Sequence, residues 1–338
     1  MAFNNPLTIP KDYVFGRGVA YFAPFDANNV PMGEVDLGEL PSLVLTVTPE
    51  TYTHKSKRTA IAKTDLKITT GVEFAAKLEF ESISTQNLAM FLSGASSTVT
   101  QASASVTAER IYYARSGRDY QIGASASNPS GARGISAVSV YLHELKNATS
   151  RANSTAYTVG QIYKSSTNVF VVTAAGTSAG SAPSFNTTAV GDSTTDGGAT
   201  VKYLGDTTAY TVDTDYLLST EAARVGIVTT GELAAACNLY ESVVPGSYLS
   251  LSVAYTAAAN TRTQVASTNA GALKGQFRFI ADNAEGTNRD LFIPSCNLAP
   301  SGDLPLITDA DIAKASFELG INELDTDTAQ VYIDGRPV

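Results

Sequence analysis

Few residues in this chain are of the types that carry chemistry at neutral pH. Proton transfer usually enlists histidine, and the 338 residues contain two, His54 and His143. His54 lies in a cluster of cations and His143 at the end of a predicted strand; neither is framed by a nucleophile motif such as GxSxG. Cys237 and Cys296 stand far apart without a CxxC pair, which predicts two buried free thiols and neither a disulfide framework nor a zinc site. The run Asp192 to Gly198 has some oxygen ligands of a calcium loop but lacks the third acid and the Glu beyond the glycine, so it reads as a β-turn. Asp325-Thr326-Asp327 reads as a hairpin turn. Gly176 to Gly180 is too short for a phosphate loop. The expectation is a protein that is not an enzyme and takes no cofactor or metal.

Charge is distributed more tellingly. Residues 49–67 hold Lys55, Lys57, Arg58, Lys63 and Lys67 against Glu50 and Asp65, a net +3 inside a chain of net −9. Residues 282–338 hold eleven acids and three bases, most of the negative balance. Five cations on one arm could grip DNA phosphates, but only Tyr52 among them offers a stacking face, and the chain is acidic with a pI near 4.8. The better use is contact with a neighbour of opposite charge. His54, Lys55, Lys57, Arg58, Ile61, Lys63, Leu66 and Lys67 are therefore the candidate subunit-contact residues, on an arm expected to be poorly ordered in an isolated subunit.

The elements that present this arm follow from periodicity. Val72, Phe74, Ala76, Leu78 and Phe80 alternate with Glu73, Lys77, Glu79 and Glu81, the pattern of a half-buried strand. A helix over 84–93 follows, opened by Ser82 or Ser84, with Leu88, Phe91 and Leu92 on one face and Gly94 as its stop. Further alternating strands are expected at 135–142, 248–255, 275–281 and 315–321. Between Ser150 and Asp206 the composition shifts to Ala, Thr, Ser and Gly with closely spaced turn signals, which predicts an inserted surface β module. The body is then discontinuous, 1–149 and 207–338. No run approaches the ~18 apolar residues of a membrane span, and Met1 to Lys11 lacks the pattern of a signal peptide; a cytosolic protein without membrane insertion is expected.

The order GEVDLGELPSLVLTVTPETYTHKSKRTAIAKTDLKI (33–68), then VEFAAKLEFESISTQNLAMFLSG (72–94), resembles the major tail tube protein of long, non-contractile-tailed, siphovirus-like bacteriophages. Thr214 to Leu218 followed by Arg224 to Val228, Leu249 to Tyr255, and Gly275 to Asn283 through Pro300 to Leu304 extend the resemblance, which covers 15–147 and 208–323. It implies a mainly β, tail-tube-type sandwich or barrel with one short flanking helix and a long hairpin-like arm. It further implies six copies per ring and stacked rings that conduct DNA without binding it specifically, the arm from Thr48 to Thr69 bridging to adjacent subunits or rings. The implied partners are other copies and the tape measure, terminator and tail tip proteins; the implied location is the virion tail, after assembly in the host cytoplasm. Within that reading Glu73, Glu79 and Glu81 are the candidate lumen-lining acids.

The segment 150–206 has no part in a minimal tube subunit, and it motivates a second reading, a virion or cell-surface adhesin whose insert binds glycan. Tyr157, Tyr163 and Phe185 are the candidate surface aromatics; packing into a small core competes with stacking on sugar.

Overall fold

The computed structural model of the chain describes residues 13–58, 60–267, 273–309 and 311–336. The chain is mainly β and divides into two compact units, Met1–Thr98 with Thr263–Val338 and Val99–Arg262. It passes from one to the other and back in the strands Gly94–Gln101 and Asn260–Ser267, which form a two-stranded sheet. Among the described residues no sheet closes into a barrel.

The first unit rests on an eight-stranded sheet. In spatial order its strands are Val35–Asp36, Gly18–Pro24, Leu273–Ala281, Arg289–Pro300, Ala315–Ile321, Lys63–Phe80 and Ser42–Ser56, with Tyr332–Gly335 pairing the first part of Arg289–Pro300. Alternation decides its faces. Leu43 and Leu45 lie opposite Leu78 and Ala76 on the side that carries the core, where Phe22, Phe80, Phe277, Phe317 and Leu319 are buried. Val44, Lys77 and Glu79 alternate onto the other side. The helix α1, Thr85–Phe91, lays Met90 and Phe91 on the core. Its start is as expected: the Ser84 hydroxyl accepts from the Asn87 amide at 3.1 Å, satisfying an amide the first turn leaves free. Its stop differs, because Ser93 (φ +46°) takes the left-handed position expected of Gly94, which instead opens the next strand.

The second unit holds a five-stranded sheet in the order Ser193–Asp196, Ala199–Asp206, Asn168–Ala174, Ile162–Ser165 and Thr149–Ser150. Two three-stranded sheets accompany it, one of Tyr216–Ser219, Arg224–Ile227 and Asp119–Gln121, the other of Ala104–Ala114, Leu249–Ala257 and Ile135–Leu142. Two helices beyond the one expected lie here, α2 (His143–Lys146) and α3 (Glu232–Val243). The signal for α3 is the i, i+4, i+7 spacing of Leu233, Cys237 and Tyr240. The carboxylate of Asp215 caps it, accepting from the Glu232 and Leu233 amides at 2.8 and 3.4 Å.

The expected division at 150 and 206 differs from this one. Val169, Val171 and Leu204 are wholly buried in one core with Leu145, Ile227, Leu251 and Val253, residues outside 150–206. The opposite face of the same sheet buries Tyr163, Phe170, Val172 and Val201. A sheet covered on both faces loses its alternation, and the unbroken run Val169-Phe170-Val171-Val172 is its signature. The segment is a layer of a larger unit.

Cys237 and Cys296 are free and buried, as expected, and burial pushes each thiol up to about 12, which leaves it protonated and unreactive.

Phe317 stacks on Phe80 with ring centroids 4.9 Å apart and meets Phe91 at 6.0 Å. Phe317→Ala is expected to destabilise the protein by about 3–5 kcal/mol, since the cavity lies between sheet and helix where neither can collapse freely. Urea unfolding followed by far-UV circular dichroism checks this; a loss below about 1 kcal/mol would contradict that packing.

Candidate assembly interface

The ladder between Ser42–Ser56 and Lys63–Phe80 runs from Ser42 opposite Glu79 to Ser56 opposite Lys63. Strand Ala315–Ile321 accompanies it only from Phe80 to Ala75. Beyond that point the two strands have only each other, a free ribbon. The twelve steps from Ala75 to Lys63 give it a length of roughly 40 Å at ~3.3 Å per residue. The arm forms a paired ribbon from Thr48 opposite Glu73 to Ser56 opposite Lys63, because its alternation and β-branched content favour the ladder.

Two bulges shape it. Thr70 is the extra residue in the first and its hydroxyl donates to the Glu50 carbonyl at 3.4 Å; Asp65 is the extra residue in the second and its carboxylate lies 2.6 Å from His54 Nδ1. Bulges sharpen twist and, with lysines and Pro49, oppose indiscriminate edge pairing. The His54–Asp65 pair is about half exposed and contributes little, ~0–1 kcal/mol at most.

Lys55, Lys57, Arg58, Lys63 and Lys67 are all exposed. Ile61, in the turn, is 75% exposed, and Leu66 is also open to solvent. The sequence reading missed two partners of these residues, Tyr52 and Ile68. Tyr52 opposes Ile68 and His54 opposes Leu66, so Tyr52, Ile68 and Leu66 share one face of the ribbon, and all three are exposed. Their signal was the alternation of Tyr52 with threonines and of Leu66 with Ile68, masked by the cations around them. A basic ribbon with an apolar stripe is suited to a docking contact.

The three candidate acids separate. Glu73 is exposed opposite Thr48, and Glu79 is partly exposed opposite Ser42, on the side of the sheet away from its core. Lys77 lies between them and opposite Glu318, so this face is mixed, with three acids around one base. Glu81 lies beyond the strand end and is held by Lys314 at 3.4 Å.

Tyr157, Tyr163 and Phe185 do not form a surface platform, which corrects the expectation for them. Tyr163 is wholly buried, its ring 4.8 Å from Tyr157, and Phe185 stacks on Phe170 at 4.3 Å. The reason is the second apolar face of the five-stranded sheet, which these rings cover. Beside them lies a group that the sequence did not reveal. Arg151 makes a two-pronged contact with the fully buried Asp196, Nε to Oδ2 at 2.7 Å and Nη2 to Oδ1 at 2.6 Å. The Tyr163 hydroxyl and the Ala179 amide also donate to that carboxylate, at 2.8 and 3.0 Å. Burial disfavours the Asp196 charge, but the hydrogen bonds from Arg151, Ala179 and Tyr163 outweigh it and hold the carboxyl below its usual range. Gly197 and Gly198 make the tight turn after it, joining Ser193–Asp196 to Ala199–Asp206, where a β-turn was expected over Asp192 to Gly198.

No group of three His, Cys, Asp or Glu side chains that could hold a metal occurs among the described residues, and no helix among them is long and apolar enough to cross a membrane. An apolar pocket of about 300 Å³ beside α1 is lined by Phe22, Met32, Met90 and Leu273 among others, none of them ionisable.

Asp196→Asn is expected to destabilise the second unit by about 3–5 kcal/mol at neutral pH, because it strands the buried Arg151 charge. The native Asp196 is ionised more readily folded than unfolded, so its contribution is full above about pH 4 and is lost as pH falls through the lower, folded value. The gap between native and variant should therefore narrow from pH 7 to pH 3 in urea titrations; a pH-independent gap would exclude the ion pair as its source.

Residues 13–119 match a family described as Protein of unknown function UCP028589, a match that begins in the first unit, takes in the whole ribbon and ends in the second. No curated protein matches the chain.

Proposed function

We propose that the chain is a structural subunit that assembles with copies of itself into stacked six-membered rings, forming the tube of a long, non-contractile phage tail. DNA passes through it without specific binding. The observation that carries this reading is the ribbon, roughly 40 Å of paired backbone that exposes cations and an apolar stripe and, among its described residues, meets the core of its own unit only at its base, through Phe74.

A tube needs one contact that closes into a ring and another that repeats along an axis. Ser42–Ser56 ends the sheet, and no strand among the described residues covers its outer edge. That edge can extend the sheet into a neighbour. The ribbon serves the second contact. Its exposed ion pairs supply ~0–1 kcal/mol each, so burial of Tyr52, Leu66 and Ile68 at ~25 cal/mol per Å² has to supply the larger share. The mixed face with Glu73, Glu79 and Glu318 around Lys77 suits a lumen, because its net negative charge repels phosphates. The tape measure, terminator and tail tip proteins are the further partners of this reading, and the virion tail is its location.

The adhesin alternative draws less support from its candidate aromatics, since Tyr163 is buried and Tyr157 and Phe185 pack against neighbouring rings.

Purified protein examined by negative-stain microscopy over a range of concentrations is expected to form rings or tubes of constant width; a protein that stays monomeric throughout would overturn the proposal. Replacing 51–69 by a two-residue turn is expected to abolish tubes while changing unfolding free energy by less than about 1 kcal/mol, as befits exposed residues.

A further inference from the structure

The connection 301–314 joins Arg289–Pro300 to Ala315–Ile321. Leu304 packs on the core and anchors its base. The next residues stand out: Leu306 is 88% and Ile307 94% exposed, and Ile312 is exposed beside them. Two neighbouring aliphatic side chains almost wholly in water are unusual for a surface that stays uncovered. The same stretch carries Asp303, Asp309 and Asp311 and no base from 303 to 312, a charge of −3. The ribbon segment 49–67 has five bases and two acids, +3. Each surface therefore combines apolar residues with a charge equal and opposite to that of the other.

Their positions on the sheet exclude a contact within one copy. Ala315 pairs with Phe80 and Gly320 with Ala75, so the connection 301–314 lies at the Phe80 end of strand Lys63–Phe80. Lys314 bridging to Glu81 at 3.4 Å places it there too. The ribbon leaves from the other end, beyond Ala75, and its turn lies at 57–62. Donor and acceptor are thus at opposite ends of one strand. Copies aligned along the strand direction bring the ribbon of one against the connection of the next, and the contact repeats without closing.

We propose that the ribbon docks on the connection 303–312 of a second copy of this chain, with Tyr52, Leu66 and Ile68 against Leu306 and Ile307 and the lysines facing Asp303 and Asp309. This rests on the tube reading and names the surface its axial contact uses. The polarity of the tube follows, every ribbon pointing the same way.

Two experiments on the full chain test it. Lys57→Glu with Arg58→Glu, or Asp303→Lys with Asp309→Lys, should each raise the critical concentration for assembly by about tenfold or more, equivalent to at least about 1.4 kcal/mol, and the four substitutions together should restore it. Cysteine-scanning gives a direct readout, since both native thiols are buried. A Leu66→Cys protein mixed with an Ile307→Cys protein under mild oxidation should give a disulfide-linked dimer, whereas either alone should not. If the native protein forms tubes but the reversed-charge loop assembles normally and the mixture gives no dimer, the docking site is wrong and the tube reading stands. If the native protein never leaves the monomeric state, the tube reading fails and this inference fails with it.

Discussion

The register of one ladder, Ser42–Ser56 against Lys63–Phe80, constrains everything else in the first unit. With Leu43 opposite Leu78 and Leu45 opposite Ala76, apolar side chains meet the core and Lys77 and Glu79 meet solvent. A slip by one residue would exchange the two sets. The same register carries forward past Ala75, through two bulges, to fix which residues of the free ribbon share a face. Tyr52, Ile68 and Leu66 lie together because Thr70 is an extra residue that shifts the alternation before them, while the Asp65 bulge acts only beyond Leu66. The chemistry of the exposed ribbon is thus set by packing that begins in the core, several turns of the pleat away.

How much of this was legible depends on the range of the interaction. Alternation from Val72 to Phe80 and the Ser84 cap are local, and the structure agrees with them because a strand face and a first-turn amide are satisfied by near neighbours. The ribbon's charge is visible as composition, whereas its hairpin-like form is expected only from the family resemblance. The acids Glu73 and Glu79 fall on the expected polar side, and Lys77 of the same alternation lies between them and offsets part of their charge. Long-range features were another matter. Asp196 looks like a turn residue, and its partner Arg151 lies 45 residues earlier. Tyr163 lies in a strand of the five-stranded sheet while Tyr157 and Phe185 lie outside it, so no local pattern groups the three rings that pack there. Composition drew a boundary at Ser150 and Asp206, yet Val169, Val171 and Leu204 pack with residues outside it.

Contrasting polar designs coexist in the chain. Arg151 and Asp196 are fully desolvated and hydrogen-bonded on several sides, so either partner is costly to lose and neither is free to rearrange. His54 and Asp65 remain in water, where the pair can break at little cost. The first arrangement fits a group that holds a sheet in one place, and the second a surface whose ions exchange partners on docking.

The pairing of Gly18–Pro24 with Leu273–Ala281 has a consequence for the order of events during synthesis. Ala20 is matched to Phe279, some 260 residues later. As the nascent chain emerges, the ribbon can zip from its own turn at once, and Val99–Arg262 is complete before the ribosome reaches the strands that finish the first unit. Leu306 and Ile307 emerge later still. Under the proposed docking, a copy still being translated can offer a ribbon but no acceptor, so translation would hold back chain-to-chain growth until residues 303–312 have emerged.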